Sequence, residues 1–188
     1  MKNLKSIALT LVAFVTFSAT AQKTVKVDAA KSTINWVGKK VTGKHEGTVS
    51  LKEGALVFDG KKLVGGNFTV DMTSINVTDL EGGMKGKLEG HLKADDFFGT
   101  DKYPTSKLVF KKIATKENNT YTIYADLTIK DKTNEVVFDI TVKDKTATAE
   151  VVIDRTKYGI EYNSGSIFDG LGDKAINDDF TLNVVLSF

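Results

Sequence analysis

The chain has 188 residues, no cysteine and one proline. It is long enough to bury the core of one domain, and without cysteine it has no disulfides, thiol chemistry or Cys-ligated zinc. The chain carries 26 Lys and Arg against 24 Asp and Glu. Lys2 and Lys5 lie in the leader described next, so 24 residues of each sign remain after it. A balanced chain has no long-range attraction to nucleic acid or anionic membranes.

The first 21 residues have the features of a secretory signal peptide. Lys2 and Lys5 precede an apolar run from Ile7 to Phe17, and small residues at Ala19 and Ala21 fit a signal peptidase site. The apolar run is too short for a membrane-spanning helix. We therefore predict cleavage after Ala21 and one domain over residues 22–188. This domain is expected in the periplasm or outside the cell, without a stable membrane anchor.

The first half of the predicted domain alternates between apolar and polar residues, which is typical of strands with one buried face. Five short runs show this period: Ile34 and Trp36, Val49 and Leu51, Leu56 and Phe58, Phe68 to Met72, and Leu108 and Phe110. Glycines at positions 54, 60, 65 and 66 punctuate the runs and predict turns or bulges.

One stretch between Asp79 and Ala94 has a helical period instead. Met84, Leu88 and Leu92 recur every four residues, which predicts a short helix. Glycines at positions 82, 86 and 90 form a second row with the same spacing, and we expect this row to let the helix lie close to strands.

The second half has the clearest strand pattern. Four runs alternate strictly: Tyr121 to Ile129, Val136 to Val142, Ala147 to Ile153, and Phe180 to Phe188. Short polar turns at 131–133 and 143–145 predict antiparallel hairpins. Residues 163–178 break the pattern, and we expect the apolar side chains of this loop to be tucked over a cavity mouth. About eight strands are indicated in all, which fits either a sandwich or an up-and-down barrel.

Several segments, in this order, resemble the YceI-like family of lipid- and polyisoprenoid-binding proteins. The resemblance covers nearly all of the chain after the leader. The segments are Thr33-Ile34-Asn35-Trp36, Gly65-Gly66-Asn67-Phe68-Thr69-Val70-Asp71 with Ser74-Ile75, Leu88-Glu89-Gly90-His91-Leu92, Asp95-Asp96-Phe97-Phe98 with Tyr103-Pro104 and Phe110, Ala125-Asp126-Leu127-Thr128-Ile129, and Asp154-Arg155-Thr156-Lys157-Tyr158-Gly159.

The resemblance implies an all-β, lipocalin-like antiparallel barrel of about eight strands, with the short helix capping one end. It also implies a binding protein, not an enzyme, that holds a long amphiphile such as a polyisoprenoid, a quinone or a fatty-acid derivative in its lumen. No other cofactor is expected, and the oligomeric state is left open, a homodimer included. The alternative is an exported β-domain that acts through its surface, as an envelope-stress or interaction module with no lumen ligand. An enzyme would need a polar cluster at the mouth, for example His91, Asp95 and Tyr103.

The ligand-binding residues predicted for the lumen and its mouth are Trp36, Phe58, Phe68, Leu88, His91, Leu92, Phe97, Phe98, Tyr103, Phe110, Ile123, Leu127, Phe138 and Ile140. The other reading of these side chains is a dry core that fills the barrel.

A second group of residues predicts a polar clasp. Arg155 is the only arginine, which suggests a need for its planar fork. With Asp154 and Tyr158 we expect it to form a structural clasp, in preference to a contact with a ligand phosphate. Two histidines without cysteine predict no transition-metal site.

Overall fold

The computed structural model describes residues 21–188, so the predicted signal peptide lies outside the described residues, apart from Ala21. Nine strands and one α-helix, α1, make up the fold. Their bounds are β1 Lys23–Lys26, β2 Thr33–Lys40, β3 Gly43–Asp59, β4 Lys62–Val77, α1 Gly82–Lys93, β5 Thr105–Thr115, β6 Thr120–Ile129, β7 Lys132–Lys143, β8 Thr146–Asp154 and β9 Ile176–Ser187. None of the helices in the described part of the chain is long and apolar enough to cross a bilayer.

Strands β2 to β9 form a closed antiparallel barrel. The order around the wall is β3-β2-β9-β8-β7-β6-β5-β4, and pairing between β3 and β4 closes the ring. The short β1 adds to the far half of β3, where Lys26 pairs with Ala55. This confirms the predicted eight-stranded barrel and excludes the sandwich, the other architecture that the sequence pattern allowed.

The period-two pattern places one face of each strand inside the barrel. In β6 every second residue from Tyr121 to Ile129 is buried, and the residues between them are only half-buried. In β7, Val136, Phe138 and Ile140 are buried between exposed neighbours. Burial of these apolar faces drives closure, since each fully buried aliphatic or aromatic side chain contributes roughly 1.5–3 kcal/mol.

Of the four glycines predicted to mark turns or bulges, Gly60 lies in the turn between β3 and β4 and Gly65 borders a register shift, whereas Gly54 and Gly66 have a different role. Residues 43–59 form one continuous strand, so Gly54 is not a turn. A Cβ atom at Gly54 would lie 2.4 Å from the Phe68 ring, and one at Gly66 would lie 2.8 Å from the Phe110 ring. These two positions must be glycine because aromatic rings of the core pack directly on the backbone.

Helix α1 forms as predicted, but its faces differ from the expectation. Leu92 is buried and Leu88 is half-buried, whereas Met84 is 63% exposed. A Cβ atom at any glycine of the helix would meet nothing within 4 Å. The prediction that the glycine row lies against strands is therefore wrong, and the helix contacts β4 through its other side.

The two ends of the barrel differ in their connections. At the upper end, as we name it, lie the turns at 41–42 and 130–131 and the long connections 78–104 and 155–175. At the lower end lie the short turns at 60–61, 116–119 and 144–145. The upper end therefore carries α1 and most of the irregular chain.

Candidate functional site: the barrel lumen

The barrel encloses an apolar cavity of about 180 Å³. Every barrel strand contributes inward-facing side chains to its wall, and the connection after α1 adds Phe97 and Phe98 from the upper end. Cavities for drug-sized ligands usually measure about 300–1,000 Å³, while an engineered apolar cavity of about 150 Å³ binds benzene. The resting lumen is thus hollow, but only large enough for a small apolar group.

Nine of the predicted ligand-binding residues line this cavity. They come from β2, β4, β5, β6 and β7 and from the connection around α1: Trp36, Phe68, Leu92, Phe97, Phe98, Phe110, Leu127, Phe138 and Ile140. Their role in binding stays a prediction, but their convergence on one space is a finding.

Five of the predicted residues lie elsewhere. Phe58 packs on Phe188 near the lower end, with ring centroids 5.8 Å apart, and Ile123 is fully buried in the filled lower part of the core. Leu88, in the middle of α1, packs against the core but does not line the cavity. His91 and Tyr103 lie at the upper end but outside the lining. The period-two rule identifies inward faces, and it does not tell which levels of the barrel stay hollow.

An aromatic row runs along one side of the cavity. The Phe110 ring lies 5.6 Å from Phe68 and 6.1 Å from Phe138, in tilted and edge-on arrangements. Such offset geometries are favourable for aromatic pairs.

The cavity reaches the surface at the upper ends of β2 and β9. Asn177 and Asp179 are exposed and also line the cavity. The pairing of β2 with β9 is irregular here. Gly38 pairs with Phe180 and Lys40 with Ile176, so three residues of β9 lie opposite one residue of β2. Gly38 leaves open space, because a Cβ atom there would meet nothing within 4 Å. We call this opening, bounded by Gly38, Asn177 and Asp179, the mouth.

Arg155 closes the upper end beside the mouth. It is 2% exposed. Its Nε donates to the carbonyl of Asn177 at 3.0 Å, Nη1 to that of Ile160 at 2.7 Å and Nη2 to that of Ile176 at 3.0 Å. Burial lowers the pKa of the guanidinium, and the charges of Asp178 and Asp154 oppose this shift. The predicted structural role of the fork fits these bonds.

The rest of the predicted clasp is arranged differently. Asp154 makes no hydrogen bond to the guanidinium. Its Oδ1 instead accepts hydrogen bonds from the backbone N–H and the hydroxyl of Thr156, so that Asp154 is the N-cap of a short 3-10 helix over residues 155–158. The carboxylate nearest to Arg155 is Asp178, with Oδ1 3.5 Å from Nη2. This contact is an ion pair too long for a good hydrogen bond. Burial opposes ionisation of Asp178, but hydrogen bonds from Ser164 and Ser166 and the charge of Arg155 lower its pKa below the usual value.

Tyr158 is a buried packing residue. It is 1% exposed, and its hydroxyl has no hydrogen-bond partner within residues 21–188. Burial raises the pKa of this hydroxyl to about 12. Tyr158 lies in the same short 3-10 helix as Arg155, but it adds no hydrogen bond to the predicted clasp.

The connection that follows α1 is also fastened to the barrel. Lys130, in the β6–β7 turn, donates from Nζ to the carbonyls of Asp95 at 2.9 Å and Phe97 at 2.8 Å. Burial lowers the pKa of Lys130. The His91 ring packs edge-on against Phe97 and Tyr162, with centroids 5.5 and 4.4 Å away. These contacts hold Phe97 over the lumen as a plug.

Sequence reasoning missed many cavity residues. Most of them lie in the alternating apolar runs that the sequence predicts, but they were not assigned to the ligand site: Ile34, Val49, Leu51, Val70, Met72, Ile75, Leu108, Ile129, Ala149, Val151, Ile153, Leu182, Val184 and Leu186. Gly38, Asn177 and Asp179 carry no apolar signal, so only the structure reveals the mouth. Among residues 21–188, no three His, Asp or Glu side chains come together in the manner of metal ligands.

Comparison with known proteins identifies the class. The family model described as YceI-like domain matches residues 25–188, and the chain belongs to this family. A comparison with curated proteins gave no match.

Solved structures share the fold. BcnA of Burkholderia cenocepacia superposes with a TM-score of 0.66 at 23% identity, over 85% of this chain and 98% of that one. A polyisoprenoid binding domain from Saccharophagus degradans gives 0.58 at 17% identity, over 89% and 97%. The YCEI protein of Campylobacter jejuni gives 0.54 at 18% identity, over 100% and 98%.

Proposed function

We propose that this protein is an exported carrier that holds the hydrocarbon tail of one long-chain amphiphile in its lumen, without catalysis. The observation that carries the proposal is the apolar cavity that opens beside Gly38. The polyisoprenoid-binding domain among the structural relatives supports a ligand of the isoprenoid, quinone or fatty-acid class.

The energetics of an apolar lumen agree with such a ligand. Each buried methylene contributes roughly 0.8 kcal/mol, so ten of them contribute about 8 kcal/mol before the cost of ordering the tail and of association. A net free energy of about 8.2 kcal/mol corresponds to micromolar binding. A tail of ten methylenes is already larger than the small apolar group that the resting cavity holds, so the lumen would have to widen to bind it.

Export is proposed from the sequence. The apolar leader with its small residues at positions 19 and 21 is the support for a periplasmic or extracellular location. In these compartments a lipid that must cross water needs a sheath for its tail, since exposed hydrocarbon is costly to hydrate.

The only tryptophan of the chain provides the test, because Trp36 lines the cavity. Bromine quenches indole fluorescence at short range, so a dibrominated octadecanol is expected to quench Trp36 saturably at one molecule per protein. The unbrominated alcohol should compete with it. Quenching that stays linear with concentration, or that the unbrominated alcohol leaves unchanged, would show that the tail does not occupy the lumen.

A further inference from the structure

Two neighbouring strands of the barrel wall are paired over only part of their length. The ladder between β7 and β8 runs from Lys143–Thr146 at the lower end to Ile140–Ala149, where it stops. Above this point β7 still pairs with β6 and β8 still pairs with β9. Within the described chain, residues 135–139 of β7 and 150–154 of β8 thus have a ladder partner on one side only. We call these two stretches the β7–β8 seam.

The sequence contains a physical reason for the end of the ladder. If the register continued, Asp139 would face Glu150, Val137 would face Val152, and Glu135 would face Asp154. Two of these three pairs place carboxylates directly opposite each other on the outer face, and like charges in opposite positions weaken a sheet. Lys116 and Thr122 hold Asp139 on the β6 side instead, at 2.6 and 2.7 Å.

A groove on the outer wall begins where the ladder ends. Its lining includes Asp139, Thr141, Thr148 and Glu150, the residues on either side of the last paired position. Two of its other residues, Ala149 and Val184, also line the lumen and pair with each other. The groove therefore lies directly outside the lumen at this point of the wall.

The seam separates apolar surfaces on both sides of the wall. Phe138, Val151 and Ile153 face the cavity from its two strands, and Val137 and Val152 are 51% and 53% exposed outside it. Above the seam a side-chain bond joins β7 to the short 3-10 helix after β8, where Asn134 Nδ2 donates to the Lys157 carbonyl at 3.0 Å. The strands are thus held together above and below a stretch that lacks the ladder.

We propose that the β7–β8 seam is a lateral opening of the lumen, which separates to admit a hydrocarbon chain longer than the resting cavity holds. The inference rests on the proposed function. The mouth beside Gly38 gives access only to the resting cavity, and hydrogen bonds of Arg155 and Lys130 fasten the rest of the upper end, so a longer chain needs room elsewhere in the wall. Separation of the seam breaks the fewest ladder bonds, and widening there enlarges the lumen beside Phe138 and Val151.

A disulfide across the seam tests the proposal, since the chain has no cysteine of its own. In Val137→Cys/Val152→Cys both changed residues are exposed, so the fold should be kept. The matched control, Thr148→Cys/Val185→Cys, lies on the same outer face but joins strands that are already paired. The probes are dibrominated octadecanol and the small bromobenzene, with Trp36 quenching as the readout.

The oxidised seam variant is expected to take up the C18 alcohol at least tenfold more slowly than its reduced form, while bromobenzene still enters. Reduction should restore uptake, and the control should be unaffected by oxidation. Equal uptake of the C18 alcohol by the oxidised and reduced seam variant would overturn the proposal.

Hydrogen exchange of the ligand-free wild type separates failure of this inference from failure of the carrier function. Alternate amides in 135–139 and 150–154, which point across the seam, are expected to exchange at least tenfold faster than the paired amides of 140–143 and 146–149. Equal protection of the two sets of amides would overturn the proposed seam. This measurement also tests the proposal if the Val137→Cys/Val152→Cys variant forms no disulfide. If the wild type failed to bind the C18 alcohol but showed the fast amides, the proposed function would fail and the weak seam would stand.

Discussion

Gly38 is the residue that leaves the mouth of the lumen open. It follows Ile34 and Trp36 on the inner face of β2, where the alternation would place a side chain directly in the cavity. The space that its Cβ would enter is empty within 4 Å. A glycine in a strand usually costs stability, by roughly 0.5–1 kcal/mol relative to alanine, so this position sacrifices a little stability and keeps the lumen accessible.

The variant Gly38→Phe is therefore expected to bind dibrominated octadecanol at least tenfold more weakly, as measured by Trp36 quenching. Its free energy of unfolding in urea should stay within about 1 kcal/mol of the wild type, because the ring enters free space. Val37→Phe, on the opposite face of the same strand, is the control and should bind normally. Full affinity in Gly38→Phe would mean that the tail does not pass or occupy this position.

Tyr158, whose buried hydroxyl has no hydrogen-bond partner among residues 21–188, shows how such a group couples stability to pH. The pKa of its hydroxyl is raised from 10.0 to about 12 by burial, so the folded state favours the neutral form. The corresponding contribution to stability is complete below about pH 10 and is lost as the pH rises towards 12. In the variant Tyr158→Phe this loss should disappear.

The same variant should be as stable as the wild type at pH 7, or more stable by about 1 kcal/mol, because an unpaired buried hydroxyl costs about that much or more. Urea unfolding between pH 7 and pH 11.5 measures both effects. A loss of more than about 1 kcal/mol at pH 7 would reveal a hydrogen bond to the hydroxyl that the structure does not contain.

At the scale of elements, Arg155 connects three parts of the upper end. Its guanidinium links the short 3-10 helix after β8 to the start of β9, and it lies over the Phe97 ring at 5.8 Å. A planar fork can satisfy three carbonyls in different directions, whereas a lysine ammonium at the end of a flexible stem cannot reach them in the same geometry.

Arg155→Lys is expected to lower the free energy of unfolding by about 2–4 kcal/mol, the range for disrupting a buried hydrogen-bonded network. Lys157→Arg, two residues away and exposed, is the control and should unfold like the wild type. If Arg155→Lys left the melting temperature unchanged but lost ligand binding, the arginine would be a ligand contact and the structural role would be refuted.

Strands were predictable from the sequence to different extents, and the reasons are physical. Strands β6 to β9 keep a period of two because one face of each turns towards the core or the cavity, so the pattern identified all four. Strand β3 has register shifts and a central Gly54, and its two apolar runs were not recognised as one element. The helix was predicted correctly from the spacing of Met84, Leu88 and Leu92. The row of glycines was wrongly predicted to face the strands, because the structure leaves open space beside it.

The site was less predictable than the fold. Inward-facing positions follow from alternation, but the hollow level depends on how rings such as Phe58 and Phe188 fill the lower end, which is a property of three-dimensional packing. The loop 163–178 is another case. Ile176 lines the cavity as a tucked residue should, whereas Phe168 is 48% exposed, against the expectation.

At the scale of the whole molecule, a closed barrel without disulfides relies on its ladder and its apolar core for stability. A solidly filled core would make the most stable barrel, because close packing adds dispersion contacts. This barrel instead keeps an apolar cavity, an open mouth and a wall with one weak seam on the upper half. These features reduce stability together, and under the proposed function all of them would serve the passage or storage of an apolar chain.

The most direct test of this account is native mass spectrometry of the protein, expressed with its leader and purified without detergent. The account predicts a species heavier than the mature chain by the mass of one amphiphile, which extraction with organic solvent removes and which added polyprenol restores. The proposed function would be contradicted if the protein were always detected at the mass of the chain alone and if no added long-chain lipid increased that mass.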